Sequence, residues 1–151
     1  MLRSMRTLGF RIVFVAAALL PASCAPPGDD TAAIREVLDD LAEAFESRDL
    51  GPFDVTLAAD FAAGDLDRRG ALLLARRYLA MHRDIGVTLT DVAIEVLEDF
   101  EPPRATVRFK ALLTGGESAL PERAGWYEFE TGWRRDGGAW RIIRAAWERQ
   151  W

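Results

Sequence analysis

The chain has 151 residues, the length of one ordinary domain, and 50% of them are hydrophobic while 28% are charged. This balance indicates a globular domain and excludes a disordered or fibrous chain. The single cysteine excludes an internal disulfide, and the single histidine excludes a site that needs two histidines.

The first 23 residues have the pattern of a secretory signal. Three arginines precede an uncharged apolar run over residues 12–20, and small residues follow the run. The run is shorter than the roughly 20 residues that a membrane span needs. We therefore predict a signal peptide over residues 1–23, a tether with a lipidated cysteine over 24–30, and one domain over 31–151.

Cys24 follows Ala22 and Ser23 directly after the apolar run, a pattern that resembles the lipobox of bacterial lipoproteins. In those proteins the cysteine carries the lipid and becomes the new N-terminus. Pro21 departs from the pattern, and cleavage after Ala25 by an ordinary signal peptidase stays open as an alternative. We expect a firm lipid anchor on Cys24 and a location at the outer membrane facing the periplasm. Ordinary cleavage would instead leave the protein soluble in the periplasm.

Removal of residues 1–23 leaves a formal net charge of −8, because that segment holds three of the 19 basic residues and none of the 24 acidic ones. The phosphates of nucleic acids and of anionic lipids repel an acidic protein. We therefore expect no nucleic-acid partner, and we expect the lipid alone to hold the protein at the membrane. The sequence shows neither a phosphate-binding loop nor metal-ligand spacing, so we expect no cofactor and no metal.

Three helical segments are predicted in the first part of the domain. An apolar stripe at helical spacing predicts the first helix and consists of Ile34, Val37, Leu38, Leu41 and Phe45. A shorter helical segment over 53–58 opens with Gly51 and Pro52. Asp67 can cap a third helix over 68–83. The apolar side of this third helix includes Leu74, Tyr78, Met81 and Ile85.

From Gly86 onward the hydrophobic period changes to two residues, which indicates strands. The clearest alternation places four residues on one face of a strand, namely Ala105, Val107, Phe109 and Ala111. The last two strands are predicted over 125–135 and 139–149, joined by a glycine-rich hairpin. A turn over Asp136 and Gly137 would place Trp133 opposite Trp140 as a cross-strand pair. Helices followed by antiparallel strands predict an α+β fold.

Three stretches resemble the nuclear transport factor 2-like superfamily, in particular its SnoaL-like branch. They are residues 34–50, the segment Leu57-Ala58-Ala59-Asp60-Phe61, and the hairpin from Trp133 to Ile142. The resemblance covers residues 30 to 151 and implies a cystatin-like roll, in which a cone-shaped, curved antiparallel sheet wraps around the N-terminal helices and leaves a pocket. The superfamily includes isomerases, dehydratases, polyketide cyclases and proteins with no known reaction, so its fold does not fix a function.

The resemblance also supplies an enzymatic alternative. Ketosteroid isomerases of the superfamily use a carboxylate base with two hydrogen-bond donors. The base position matches Asp65 in this sequence, the first donor position falls near Leu41, and the second falls near Glu130. Leucine cannot donate a hydrogen bond, so this set is incomplete. His82 is a second acid/base candidate, because the ordinary pKa of histidine lies near neutrality. The alternative function is an isomerase- or dehydratase-type enzyme that uses Asp65 and His82.

The function that the sequence favours is an envelope lipoprotein whose pocket binds a small apolar ligand or a protein partner without catalysis. We expect the first helix, the third helix and the last hairpin to line the pocket. The predicted ligand-binding residues are Tyr78, Phe45, Phe129, Trp133 and Trp140, and Leu41, Leu74 and Phe109 complete the predicted lining. Tyr78 is the predicted polar anchor, because a buried phenol needs a partner. A module that forms a homodimer through its sheet is a third option.

Overall fold

The apolar stripe of the first predicted helix forms α1, Asp30–Glu46, and buries Ile34, Leu38, Leu41 and Ala44. The computed structural model describes residues 30–115 and 125–150. The predicted signal peptide and Cys24 lie outside these described residues. None of the helices in the described ranges is long and apolar enough to cross a membrane.

Asp30 is already part of the fold, although the sequence placed it at the end of the tether. It is the first residue of α1, and its carboxylate accepts a hydrogen bond from Trp140 Nε1 at 3.2 Å. The same carboxylate forms an ion pair of 3.1 Å with Arg135. The start of α1 is therefore fastened to the last hairpin.

Arg48 and Asp49 set the ends of three helices. Arg48 has a φ of 65°, the left-handed conformation that often ends a helix. Its guanidinium donates hydrogen bonds to the carbonyl oxygens of Leu79 at 2.6 Å and His82 at 2.8 Å, at the C-terminus of the third helix. The carboxylate of Asp49 accepts a hydrogen bond of 2.8 Å from the amide of Gly51, where the second helix begins. These contacts explain why the chain turns sharply at this point.

The predicted second helix is too long, and a strand was missed. Helix α2, Gly51–Thr56, ends before the predicted residue 58, and β1, Leu57–Ala63, begins directly after it. Strand β1 buries Ala58, Phe61 and Ala63, and a register shift against its neighbour interrupts the alternation. Because the inward residues lack a strict period of two, no strand pattern is visible in this segment of the sequence. A two-residue strand β2, Leu66–Asp67, pairs back onto β1.

The third helix, α3, spans Arg68–Met81 and is capped as predicted, since the Asp67 carboxylate accepts a hydrogen bond of 2.7 Å from the amide of Gly70. Its predicted apolar side is only partly correct, since Tyr78 is half-buried and Ile85, just beyond the helix, is buried. Leu74 is 46% exposed and Met81 is 73% exposed, whereas Leu79 is buried. The helix packs mainly on β1 and β2, two strands that the sequence did not reveal, and they select a different face.

The remaining strands are β3, Gly86–Leu97, β4, Arg104–Thr114, β5, Gly125–Asp136, and β6, Ala139–Gln150. The six strands form one open sheet in the order β2-β1-β6-β5-β4-β3. The expected antiparallel sheet is mixed, because β1 pairs with β6 in parallel. The predicted inward face of β4 is confirmed, since Ala105, Val107, Phe109 and Ala111 are all buried.

The final hairpin turns one residue later than predicted. Gly137 and Gly138 both have positive φ, at 59° and 85°, the requirement of a tight type I′ turn. Trp133 therefore lies opposite Ile142, and Trp140 lies opposite Arg135, so the predicted pairing of the two tryptophans is wrong. Both tryptophans are nevertheless buried on the same face of the sheet.

The outer face of the sheet is charged and internally paired. Glu130 contacts Arg108 at 2.9 Å and Arg144 at 3.5 Å, and Lys110 contacts Asp91 at 2.8 Å. Glu130 was the approximate position of the second isomerase donor, but the strand register places it on this outer face.

Arg134 joins the first strand to the last hairpin. Its guanidinium donates to the carboxylate of Asp60 on β1 at 2.8 and 3.0 Å, and to the carboxylate of Asp136 at 2.7 and 2.8 Å. These hydrogen bonds hold the pKa of both carboxyl groups below their ordinary value. Bidentate pairs of this kind fix geometry better than single contacts do.

We predict that Arg134→Met lowers the melting temperature near pH 7 by roughly 3–6 °C, because both carboxylates lose their partner. A carboxyl group whose pKa is lower in the folded state stabilises the fold above its unfolded pKa of about 3.9, and this contribution is lost as the pH falls through the folded pKa. The difference between the two proteins should therefore shrink toward pH 2. Thermal unfolding followed by circular dichroism measures it. Arg108→Met, on the charged outer face, is the matched control. An Arg134→Met deficit that stays the same at both pH values would contradict this role.

Candidate ligand-binding cavity

The hollow between α1 and the inner face of the sheet contains a cavity of about 240 Å³. Helices α1 and α2 close one side of it, and five of the six strands supply the other walls. The lining residues are Leu38, Leu41, Ala42, Phe45, Phe53, Leu57, Phe61, Val87, Leu89, Phe109, Ala111, Leu113, Phe129, Thr131, Trp133, Ile142, Ala145 and Trp147.

The alternation of side chains along the strands produces this lining. On β4 the odd-numbered residues from Phe109 to Leu113 face the cavity, and on β5 Phe129, Thr131 and Trp133 do the same. Phe109 and Phe129 lie opposite each other in the ladder, and their rings stack at a centroid distance of 5.0 Å. The walls are therefore built from neighbouring strands in register.

Trp133 and Thr131 are polar-tipped residues of the wall whose donors are engaged inside the protein. Trp133 is fully buried, and its indole Nε1 donates a hydrogen bond of 2.8 Å to the Thr131 hydroxyl. That hydroxyl donates in turn to the carbonyl oxygen of Val107 at 3.2 Å. This chain satisfies the donors of both side chains, and the surface that a bound molecule would meet is apolar.

Among the residues that the structure describes, none of those that line the cavity is titratable. An acid/base reaction needs a side chain that can exchange a proton within hydrogen-bond reach of the reacting atom. Among the described residues, no group of three or more metal-ligating side chains comes together either. The described part of the wall is therefore suited to surround an apolar molecule.

The structure brings part of the predicted lining together. Phe45, Phe129 and Trp133 line the cavity, together with the predicted Leu41 and Phe109. Their role in binding a ligand stays a prediction.

Trp140 and the third helix lie outside the cavity wall. Trp140 is buried, but its side chain reaches the start of α1 and Asp30 rather than the hollow. Leu74 points to solvent on α3, and α3 contributes no lining residue. The wall that was expected from α3 is supplied by α2 and β1, which carry Phe53, Leu57 and Phe61.

Tyr78 and His82 lie beside the cavity rather than in it. The Tyr78 ring contacts the ring of Phe45 at 5.8 Å and the ring of His82 at 4.3 Å. Burial raises the pKa of the Tyr78 phenol; the nearby Tyr127 adds to this, and the positive charge of Arg149 opposes it. Neither Tyr78 nor His82 lines the cavity, and His82 is the C-cap residue of α3.

Asp65 is exposed in the turn between β1 and β2 and does not line the cavity. The family resemblance matched Asp65 to the position of the catalytic base. That match assumed that the residues after Asp60 and Phe61 lead into the pocket. Instead the chain reverses at Gly64, which has a φ of 58°, and points the following carboxylate into solvent. The two acid/base candidates of the sequence are thus not brought together at a common site.

Several lining residues were missed by sequence reasoning. Val87 and Leu89 belong to the first half of β3, where an irregular register follows at residues 90–93. Trp147 lies on β6 opposite Phe129. Its spacing of two residues from Ala145 could have predicted that both side chains lie on the same face of the strand. Phe53 had no such signal, because a six-residue helix shows too little periodicity.

The fold is similar to that of several solved structures. An NTF2-like protein of unknown function from Pseudomonas putida KT2440 superimposes with a TM-score of 0.66 at 18% identity, over 78% of this chain and 84% of that one. A protein with a cystatin-like fold from Nostoc punctiforme gives a TM-score of 0.68 at 18% identity, over 82% and 92%. A type 2 hexachlorocyclohexane dehydrochlorinase gives 0.64 at 15% identity, over 80% and 85%.

The chain therefore has the nuclear transport factor 2-like, cystatin-like fold, which confirms the fold that the sequence resemblance implied. It also matches Bd1075 of Bdellovibrio bacteriovorus, of whose length it spans 40%. No protein-family model and no curated protein matches the chain. The fold neighbours include both an enzyme and proteins of unknown function, so they leave the activity of this chain open.

Proposed function

We propose that this protein is a non-catalytic binding protein of the bacterial cell envelope, whose cavity holds a small apolar molecule. The observation that carries the proposal is a cavity of about 240 Å³ whose described lining residues are apolar or aromatic apart from Thr131, with no titratable side chain among them. Pockets lined mainly by hydrophobic and aromatic side chains are typical ligand sites.

The volume sets the size of the ligand. An engineered apolar cavity of about 150 Å³ in another protein stays dry and binds benzene. A cavity of about 240 Å³ is larger by a little more than half. By this scaling it has room for roughly ten carbon atoms, as a short chain or a fused pair of rings.

Burial of an apolar molecule supplies the driving force for binding. The contribution is about 25 cal/mol for each Å² of apolar surface that leaves water. Phe45, Phe53 and Trp147 add aromatic surface to the wall. The site therefore favours an apolar body over a polar one.

The enzymatic alternative has a weaker basis in the geometry. One fold neighbour is a dehydrochlorinase, so this fold supports elimination chemistry in that protein. In this chain Asp65 is exposed in a turn, and neither Asp65 nor His82 lines the cavity. Catalysis needs groups that contact the charge developing in the transition state. Turnover of β,γ-unsaturated ketones that disappears in Asp65→Asn would favour the enzyme.

We predict that Ala145→Leu weakens binding of 1-decanol by tenfold or more, because the larger side chain occupies space that the ligand needs. Ala145 lines the cavity, and the titration is followed by the fluorescence of Trp133 and Trp147, which also line it. Ala146→Leu is the matched control, since the adjacent side chain is exposed on the outer face. Equal weakening in both variants, or none in either, would contradict a ligand site in this cavity.

The envelope location rests on the N-terminal sequence. We predict that Cys24→Ser releases the protein from membranes into the soluble periplasmic fraction, because the thiol that would carry the lipid is gone. Cell fractionation and N-terminal mass analysis measure this. An unchanged protein that is already soluble and begins at Pro26 would show ordinary signal cleavage instead. A homodimer through the sheet stays a further prediction, and its interface would have to accommodate the ion pairs of the outer face.

A further inference from the structure

Helix α3 carries an excess of positive charge in an otherwise acidic protein. The chain has 24 acidic and 19 basic residues, yet the 14 residues of α3 include four arginines and no acidic residue. The nearest acidic residues along the chain lie beyond its two ends. Asp67 is engaged in capping the helix, and Asp84 follows its C-terminus. The net charge of the whole chain therefore conceals a local basic surface.

Three of the four arginines lie on one exposed side of α3. Arg69, Arg76 and Arg77 are all exposed. With about 3.6 residues per turn, these positions fall on the same side of the helix, while the buried Leu79 lies on the other. The fourth arginine, Arg68, is engaged elsewhere, because it forms an ion pair of 2.7 Å with Asp54.

Large apolar side chains share this exposed side. Leu73 is 55% exposed, and Leu74 and Met81 are exposed as well. In the helical projection Leu73 lies between Arg76 and Arg77. Basic residues together with exposed apolar residues are the composition of helices that bind at a lipid surface. The surface that we call the α3 face consists of Arg69, Leu73, Leu74, Arg76, Arg77 and Met81.

Helix α3 begins near the point at which the N-terminal segment joins the domain. Arg68 lines the same surface hollow as Asp136 of the last hairpin, and the adjacent Arg135 forms the ion pair of 3.1 Å with Asp30. Cys24, where the lipid is predicted, precedes Asp30 by six residues. Such a stretch spans at most about 22 Å. A lipid on that cysteine would therefore hold the start of α3 close to the bilayer.

We propose that the α3 face lies on an anionic lipid bilayer, with its arginines at the phosphate groups and its apolar side chains among the upper parts of the acyl chains. The charges are complementary, because the guanidinium groups offer N–H donors that suit phosphate oxygens. A second copy of this chain is a poorer occupant, since a symmetric contact through this face would bring like charges together.

This inference goes beyond the proposed ligand binding, and it replaces one expectation from the net charge. That expectation was that the lipid alone holds the protein at the membrane. The α3 face would add a second contact and would fix which side of the domain faces the bilayer. Two contacts hold a protein at a membrane more firmly than one.

Vesicle binding of the mature chain without its lipid site tests the α3 face. In residues 24–151 with Cys24→Ser, no acyl chain can account for binding. We expect this protein to bind vesicles of phosphatidylglycerol and phosphatidylethanolamine about tenfold or more tightly than vesicles of phosphatidylcholine, as measured by flotation at low salt. The binding should weaken as the salt concentration rises, because ions screen the attraction.

Two double variants with the same change in charge separate the α3 face from the rest of the surface. Arg76→Gln combined with Arg77→Gln should lower the affinity for the anionic vesicles by about tenfold. The matched control is Arg108→Gln combined with Arg144→Gln, on the outer face of the sheet, and it should bind like the parent protein. Melting temperatures measured by circular dichroism show whether each variant is folded.

The outcomes decide between a lipid and a protein as the partner. Equal binding to both kinds of vesicle, or the same loss in the two double variants, would overturn the proposal. No binding to the anionic vesicles would overturn it as well, and binding of the same protein to soluble polyglutamate would then indicate an acidic protein partner. None of these results depends on a ligand in the cavity, so the proposed function is tested separately by Ala145→Leu.

Discussion

The inner face of the sheet depends on the burial of one large side chain, that of Trp133, in the core. It is fully buried, lies opposite Ile142 in the hairpin, and forms part of the core that contacts α1. A buried indole needs an acceptor, and the Thr131 hydroxyl supplies it while donating to the carbonyl oxygen of Val107 on the adjacent strand. This short chain joins β5 to β4 and leaves no donor of Trp133 or Thr131 for a ligand. The apolar character of the cavity follows from it.

The sequence predicted the parts of the fold whose periodicity is regular. The stripe from Ile34 to Phe45 and the alternation from Ala105 to Ala111 became α1 and β4, because each pattern repeats several times on one face. Strand β1 was missed, since its pairing with β6 is interrupted and its inward residues are unevenly spaced. The face of α3 was misassigned for the same reason, because β1 and β2 decide which side of that helix is buried. Tertiary contacts, not local pattern, set these elements.

The sequence could predict those cavity residues whose position follows from the alternation of inward and outward side chains along a strand. Phe129 and Trp133 were placed correctly on the inner face, even though the hairpin turns one residue later than expected. Phe45 follows from the helical stripe, whereas Phe53 and Phe61 lie on elements with no clear period. The family resemblance suggested Asp65 as a catalytic base. The turn at Gly64 instead places this residue outside the cavity. A residue that matches a catalytic position of the superfamily can have the same role only if the backbone around it follows the same course.

The two faces of the sheet differ in chemistry, and the inner face carries the candidate site. The hollow on the inner face has an apolar wall, while the ion pairs of the outer face lie on the other side of the sheet. The most direct test is native mass spectrometry of the protein purified without denaturation from its own cell envelope. We expect a bound small organic molecule that is lost in Ala145→Leu and retained in Ala146→Leu. A protein that is always found without a bound molecule, or equal occupancy in both variants, would contradict the binding function.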